Sequence, residues 1–322
     1  MTRLGFAGVG WLGESLLKEL PRFPALELVA VQDTNLDLAA QVAERYASPW
    51  YGAGYAELLA LPTVDAVVIC TPNALHASQA QAALRAGKDV LVQKPLATTC
   101  ADAQATVDLA SRLGRVLFVD YSYRFLDTLQ ALAATLATLG PARRARAVFH
   151  NIYGPGKAWF FDPDLSGGGA LVDLGVHLLD LGLWLLQPER LSLDGAELSW
   201  EQGHAVEDAA RLRLRLDQVP FELDVSWNAP RPLTEIVFEV QAERSIARWE
   251  NVDGSFFRFR ALREAEVLLD RETSLREDTL RAFSAALVDR SQPTIDLRVY
   301  ALLDAAYRSR PPSATPRTAP AR

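Results

Sequence analysis

The stretch FAGVGWLG, Phe6 to Gly13, decides the reading of the fold. An apolar run, RLGFA, leads into it, and ESLLKELPRF follows with apolar residues at helical spacing. Strand, glycine turn and helix together make the phosphate-binding start of a doubly wound parallel sheet. In that setting Gly8 permits the tight turn, Gly10 lets the backbone approach a pyrophosphate, and Gly13 lets helix and strand pack closely. The pyrophosphate then rests on the helix N-terminus, where unpaired N–H groups and the macrodipole favour an anion. Trp11 and Leu12 belong to the same turn, and Trp11 either packs over the cofactor or covers the start of the helix. A purely structural glycine turn is the competing reading, and the flanking elements argue against it.

Asp33 closes the next strand, LELVAVQD, about 20 residues beyond the glycines, where an acid receives the adenosine ribose hydroxyls. A carboxylate there repels a 2′-phosphate, and the run from Thr34 to Asp37 offers no arginine to hold one. NAD is therefore favoured, with NADP as the alternative. The alternation then continues. Helix NLDLAAQVAERY follows an Asn35 cap, strand VDAVVIC leads to helix ALHASQAQAALRAG with Gly87 as its stop, and strand DVLVQKP leads to helix TCADAQATVDLASRLG with Gly114 as its stop. Strand RVLFVD completes a set of βαβ units.

The pattern changes beyond it. After a helix near Thr128 to Leu139 and a strand in RARAVFHNIY, the segments LSLDGAELSW, AARLRLRLDQVPFELDVSW, TEIVFEVQAERSIARWE and SFFRFRAL alternate apolar and polar residues. Such alternation describes an antiparallel sheet with one wet face. Two helices, near Leu275 to Val288 and Leu297 to Ser309, close the chain. The expected division is a dinucleotide-binding domain over 1–122, an α+β domain over 123–309 whose last helices can pack back on the first, and a disordered tail over 310–322, rich in Pro, Ala, Thr and Arg.

The bulk composition bounds the function. The 322 residues, 49% hydrophobic and 23% charged, suit a soluble protein of about two domains. A net charge of −7 argues against a nucleic-acid partner. The one short basic run, ARRARA at Ala142 to Ala147, reads as a solvated strand edge. The most apolar stretch, ALVDLGVHLLDLGLWLL, holds two aspartates and a histidine, and reads as a buried helix rather than a membrane span. Cys70 ends an apolar run and reads as a buried small hydrophobe. Two cysteines without a CxxC and no signal-peptide pattern point to the reducing cytoplasm. No metal site is expected.

Three further stretches carry chemistry. TPNALH, Thr71 to His76, follows a strand and so borders the cofactor. There Thr71 and Asn73 are candidates for ribose or phosphate, Pro72 shapes the turn, Asn73 is alternatively a helix cap, and His76 reads as structural rather than catalytic. QKP, Gln93 to Pro95, puts Lys94 at the carboxyl end of a strand, and Pro95 there admits a cis bond. In SGGGALVDLGVHLLD, Ser166 to Asp180, Asp173 and His177 stand at i and i+4 on one helix face, with Asp180 near it. A histidine between carboxylates suits acid–base work near neutral pH. A hydrogen-bonded core cluster is the alternative.

GVGWLG, TPNALH, AGKDVLVQKPL, YSYRF and GGGALVDLGVHLLD, in this order, resemble the glucose–fructose oxidoreductase / inositol dehydrogenase / MocA family over residues 3 to 310. The resemblance implies an α/β Rossmann domain followed by an α+β domain with a large open, mostly antiparallel sheet. It further implies self-association through that sheet as a homodimer or homotetramer, and hydride transfer between nicotinamide and a sugar, cyclitol or related polyol. Relatives that cleave glycosides through bound NAD or reduce imines and tetrapyrroles, and a silent cofactor-sensing regulator, are the alternatives. Carried over by residue, the resemblance makes Lys94 and His177 catalytic, with Asp173 binding substrate or orienting the pair. It sets Tyr123 and Arg124 on the nicotinamide side, and makes Tyr153 and Trp159 pocket walls or ordinary core aromatics. Where the family usually has Glu, this chain has Gln93, which removes a negative charge beside Lys94.

Overall fold

The computed structural model describes residues 1–309 apart from 230 and 292; the tail expected to be disordered lies outside the described residues. The described chain divides into two compact units, Met1–Ser122 with Leu275–Leu297, and Tyr123–Ser274 with residues 298–309.

The first unit holds strands β1 (Thr2–Ala7), β2 (Leu26–Gln32), β3 (Tyr51–Gly52), β4 (Ala66–Ile69), β5 (Asp89–Gln93) and β6 (Leu117–Asp120). They form one sheet in the order β3-β2-β1-β4-β5-β6, with every pair parallel. Every residue of β4, β5 and β6 is buried. A parallel strand covered on both faces requires this, and it explains their unbroken apolar runs. The connecting helices are α1 (Trp11–Glu19), α2 (Leu36–Arg45), α3 (Tyr55–Ala60), α4 (Asn73–Arg85) and α5 (Cys100–Leu113). Their ends follow local chemistry: Asn35 Oδ1 accepts from Leu38 N at 3.2 Å, and Gly114 closes α5 in the left-handed region.

The second unit opens with α6 (Asp127–Leu136), β7 (Ala142–His150) and the single turn α7 (Pro163–Ser166). A π-helical turn, Leu171–Gly175, runs into α8 (Val176–Leu186). Strands β8 (Leu191–Ser199), β9 (Ala209–Leu216), β10 (Val219–Ser226), β11 (Glu235–Ala242), β12 (Ile246–Asn251), β13 (Arg258–Arg263) and β14 (Glu266–Glu272) follow. The eight strands pair in the order β14-β13-β12-β11-β7-β10-β9-β8, parallel only between β7 and β10. Leu212, Leu214 and Leu216 of β9 are buried while Arg211, Arg213 and Arg215 point outward. The inner face lies against α6, α8 and a last helix, α10 (Arg298–Arg308). The outer face is a lattice of paired charges: Arg211 with Asp224, Arg213 with Glu197, Arg215 with Asp194, and Arg144 with Glu222.

Two expectations need correction. The arginine-rich run does not mark a sheet edge. It lies in β7, between β10 and β11, and Arg144 is exposed because it points to the wet face. Cys70, expected to be a buried small hydrophobe, is half-buried. The apolar stretch Pro163–Leu186 is long and apolar enough by composition to cross a membrane, yet most of it is buried within the protein.

The remaining helix, α9 (Leu275–Asp289), belongs to the first unit and packs on α1 and β6. Its anchor is Phe283, fully buried and edge-on to Phe118 at 5.6 Å. Phe283→Ala removes the buried ring and with it the edge-on contact to Phe118. The expected loss is about 3–5 kcal/mol of stability, checked by denaturant unfolding at constant slope.

Candidate active site

At the end of β1, Gly8 adopts φ +80°, and a Cβ there would lie 2.8 Å from the Cys70 carbonyl group. A Cβ on Gly13 would run into the Gly8 carbonyl oxygen. Both positions therefore require glycine, and the turn presses backbone against backbone. Gly10 precedes α1 in an extended conformation and offers no side-chain cap. The first-turn N–H groups, which lack intrahelical partners, face the position a pyrophosphate takes in such a turn. Asp33 accepts from Val9 N at 3.0 Å and from Asn35 N at 2.9 Å, so it braces the glycine turn from the tip of β2. Its carboxylate oxygens carry further lone pairs that suit ribose hydroxyls. Thr34 beside it is exposed. Trp11 is exposed and Leu12 half-buried. The Arg276 guanidinium stands 5.8 Å from the Trp11 ring centre, with its Nε bonded to Ser15 Oγ at 3.0 Å. Backbone donors and a turn without Cβ atoms fit a dinucleotide.

His76 joins the next two motifs. It is 1% exposed, with Nδ1 2.7 Å from the Pro95 carbonyl oxygen and Nε2 2.7 Å from that of Thr71. Burial, and to a lesser degree the charge of Lys94, holds its pKa below the usual 6.5. A neutral ring donates one N–H, so it serves one carbonyl at a time. Thr71 donates its hydroxyl to Gln79 Oε1 at 2.6 Å. Asn73 does not cap α4 but opens it, buried, with Pro72 at the capping position. Lys94 is half-buried directly after β5, and its bond to Pro95 is cis. Gln93, buried, donates to Asp120.

In the second unit the glycine triplet has a partner that local spacing conceals. Glu207, 1% exposed, accepts from Gly169 N and Leu171 N at 3.0 Å and from the Tyr307 hydroxyl at 2.7 Å. A Cβ on Gly168 would collide with that hydroxyl, and one on Gly169 with the Glu207 backbone. The segment that follows is buried from 168 to 183 at every position except Asp173 and His177. The Trp227 indole donates to Asp173 Oδ2 at 3.0 Å, and the His177 ring lies 4.9 Å from that of Tyr123. Asp180, i+3 from His177, is buried in a two-pronged ion pair with Arg124, its Oδ2 accepting from Arg124 Nε at 2.6 Å. Arg124 is itself only 7% exposed. Trp159 stacks on Phe160 at 3.9 Å, and Phe160 and Phe161 stand edge-on to Trp227. Tyr153 is 77% exposed. Among the described residues no cluster of three or more His, Cys, Asp or Glu is arranged to hold a metal ion. Asp120, Trp227, Glu207, Tyr307 and Arg276 escaped the sequence reading because each acts on a residue far along the chain.

Fold and site together define a dinucleotide-binding unit joined to an α+β unit with an acid–histidine helix. The model of an oxidoreductase family with an NAD-binding Rossmann fold matches residues 2–121, and that of the GFO/IDH/MocA C-terminal domain matches residues 130–248. The chain belongs to the GFO/IDH/MocA family. It is 41% identical over 172 residues to D-glucoside 3-dehydrogenase of Escherichia coli (strain K12), a match covering 50% of this chain and 47% of that protein. The chain spans about half the length of the curated relatives it matches. A variant of KijD10, a 3-ketoreductase from Actinomadura kijaniata in complex with TDP-benzene and NADP, superposes with TM-score 0.83 at 25% identity, over 95% of this chain and 97% of that one. Levoglucosan dehydrogenase in complex with NADH and levoglucosan shares the fold, with TM-score 0.81 at 21% identity over 96% of each chain.

Burial raises the Glu207 pKa above its ordinary 4.5, and its hydrogen bonds only partly offset this. A raised acid favours the protonated fold, so its stabilisation is present below about 4.5 and is lost as pH rises through the folded value. Wild type is expected to lose stability relative to Glu207→Gln over that rise. Melting temperatures of both proteins from acid to neutral pH check it, and a constant gap refutes it.

Proposed function

We propose that the chain is an NAD(P)-dependent oxidoreductase, with NAD preferred, acting on a hydroxyl or carbonyl carbon of a sugar, cyclitol or related polyol. The observation that carries this reading is the pair Asp173 and His177, the two positions of an otherwise buried helical segment that reach solvent. Burying apolar residues all around while leaving an acid and an imidazole open is the pattern of a site, since a core cluster would be closed over.

The N–H groups at the start of α1 hold the pyrophosphate, and Asp33 receives the adenosine ribose. When bound, the nicotinamide supplies the hydride acceptor or donor. His177 takes the proton from the substrate hydroxyl in oxidation and returns it in reduction. Lys94 polarises the reacting oxygen with its ammonium group. Asp173, anchored by the Trp227 indole, binds a neighbouring hydroxyl or holds the imidazole in line. The aromatic shell of Trp159, Phe160 and Trp227 suits the apolar face of a sugar ring. The names of the similar proteins, a glucoside dehydrogenase and a levoglucosan dehydrogenase among them, support a sugar-like substrate. The open face of the second sheet is the surface we assign to a homodimer or homotetramer.

A thermal-shift screen of sugars, inositols and their phosphates, with NAD or NADP present, identifies substrate class and cofactor together. On the substrate so found, His177→Ala is expected to lose about 10²–10⁴ in turnover while NADH binding, followed by fluorescence, stays near wild type. Full turnover by this variant refutes the assignment.

A further inference from the structure

Gln93 and Lys94 stand at the tip of β5, and Gln93 is joined there to two groups from distant parts of the same unit, Asp120 directly and Thr279 through Asp120. It is 4% exposed, and its Nε2 donates to Asp120 Oδ2 at 2.6 Å. Asp120, 1% exposed, is its register partner at the tip of β6. The other Asp120 oxygen accepts from the hydroxyl of Thr279, a fully buried residue of α9, also at 2.6 Å. The three side chains form one dry line in which each carboxylate oxygen meets a donor. Direction matters in that line. An amide at position 93 offers hydrogens to Asp120, whereas a carboxylate there would face another carboxylate.

We propose that Asp120 is the positioning residue for Lys94. Through Gln93 it fixes the tip of β5, and from β6 it supplies the negative charge that Gln93 lacks. His76 lies on the other side of Lys94 in the chain, its Nδ1 2.7 Å from the Pro95 carbonyl oxygen, so buried side chains contact the backbone both before and after Lys94. A catalytic use for that placement rests on the function proposed above; the placement itself does not.

The test therefore reads Lys94 directly and needs no substrate. The chain has four lysines, Lys18, Lys88, Lys94 and Lys157, so ¹³C-dimethylated lysine signals are few, and Lys94→Arg identifies the one sought. Asp120→Asn removes the carboxylate that faces Gln93, the chain neighbour of Lys94, and is expected to lower the Lys94 titration midpoint by about one unit. Gln93→Glu adds a charge and is expected to raise it. The double variant exchanges the two groups: the asparagine at 120 keeps Oδ1 for Thr279 and gives Nδ2 to the new glutamate. It is expected to return the Lys94 midpoint to the wild-type value. Thermal melts provide a second readout. Gln93→Glu alone forces two carboxylates to share a proton, so it should lose stability relative to wild type as pH rises from about 4.3, and the double variant should not. The proposal is overturned if both single variants leave the Lys94 signal unmoved. It is equally overturned if the double variant recovers the melting temperature while its Lys94 signal stays displaced, because the three residues then serve packing alone.

Discussion

The buried carboxylate of Glu207 governs the second unit. Out of water, a carboxylate must be surrounded by donors, and here these are two backbone N–H groups and a tyrosine hydroxyl. That demand reaches in three directions. It excludes side chains at Gly168 and Gly169, it draws α10 in through Tyr307, and it places an acid at the head of the helical segment. The same segment carries Asp173 and His177 one and two turns further on. The candidate acid–base pair is therefore set by a contact that spans much of the unit, and the three glycines are the local trace of it.

The first unit solves a similar problem with less. Its glycine turn has no side chains to shape it, so the Asp33 carboxylate does so from the neighbouring strand by accepting from Val9 N. One residue thus braces the turn from the tip of the neighbouring strand. His76 repeats the economy, with one ring in contact with the loop after β4 and the loop after β5. The two loops meet at one buried ring, which bonds one carbonyl at a time.

Much of this was legible in the sequence because periodicity is local. Apolar runs between glycine-stopped helices gave the parallel sheet, and Leu212, Leu214 and Leu216 alternating with arginines gave the half-wet one. Asp173 and His177 stood out by helical spacing, and they are the residues that open to solvent. The two-residue β3 was too short to leave a pattern. The pattern of β14 was faint because it buries no residue fully. The partners of buried charges were hidden for a different reason. Arg124 and Asp180 lie 56 residues apart, and Asp120 and Thr279 lie 159 apart. Nothing in the neighbourhood of either member marks which opposite charge or hydroxyl the fold will bring to it. The place of Asp180 three residues beyond His177 gave no hint of the guanidinium that it holds.

The lattice on the outer face of the second sheet has an electrical consequence. Arg144, Arg211, Arg213, Arg215, Arg248, Arg258 and Arg260 each hold a carboxylate of the same chain. Cations and anions interleaved a few ångströms apart cancel one another within about a Debye length, so the face is densely ionic close up and nearly silent at range. Whatever comes to lie on it meets a checkerboard of dipoles, where fit depends on alignment to a single residue spacing rather than on net charge.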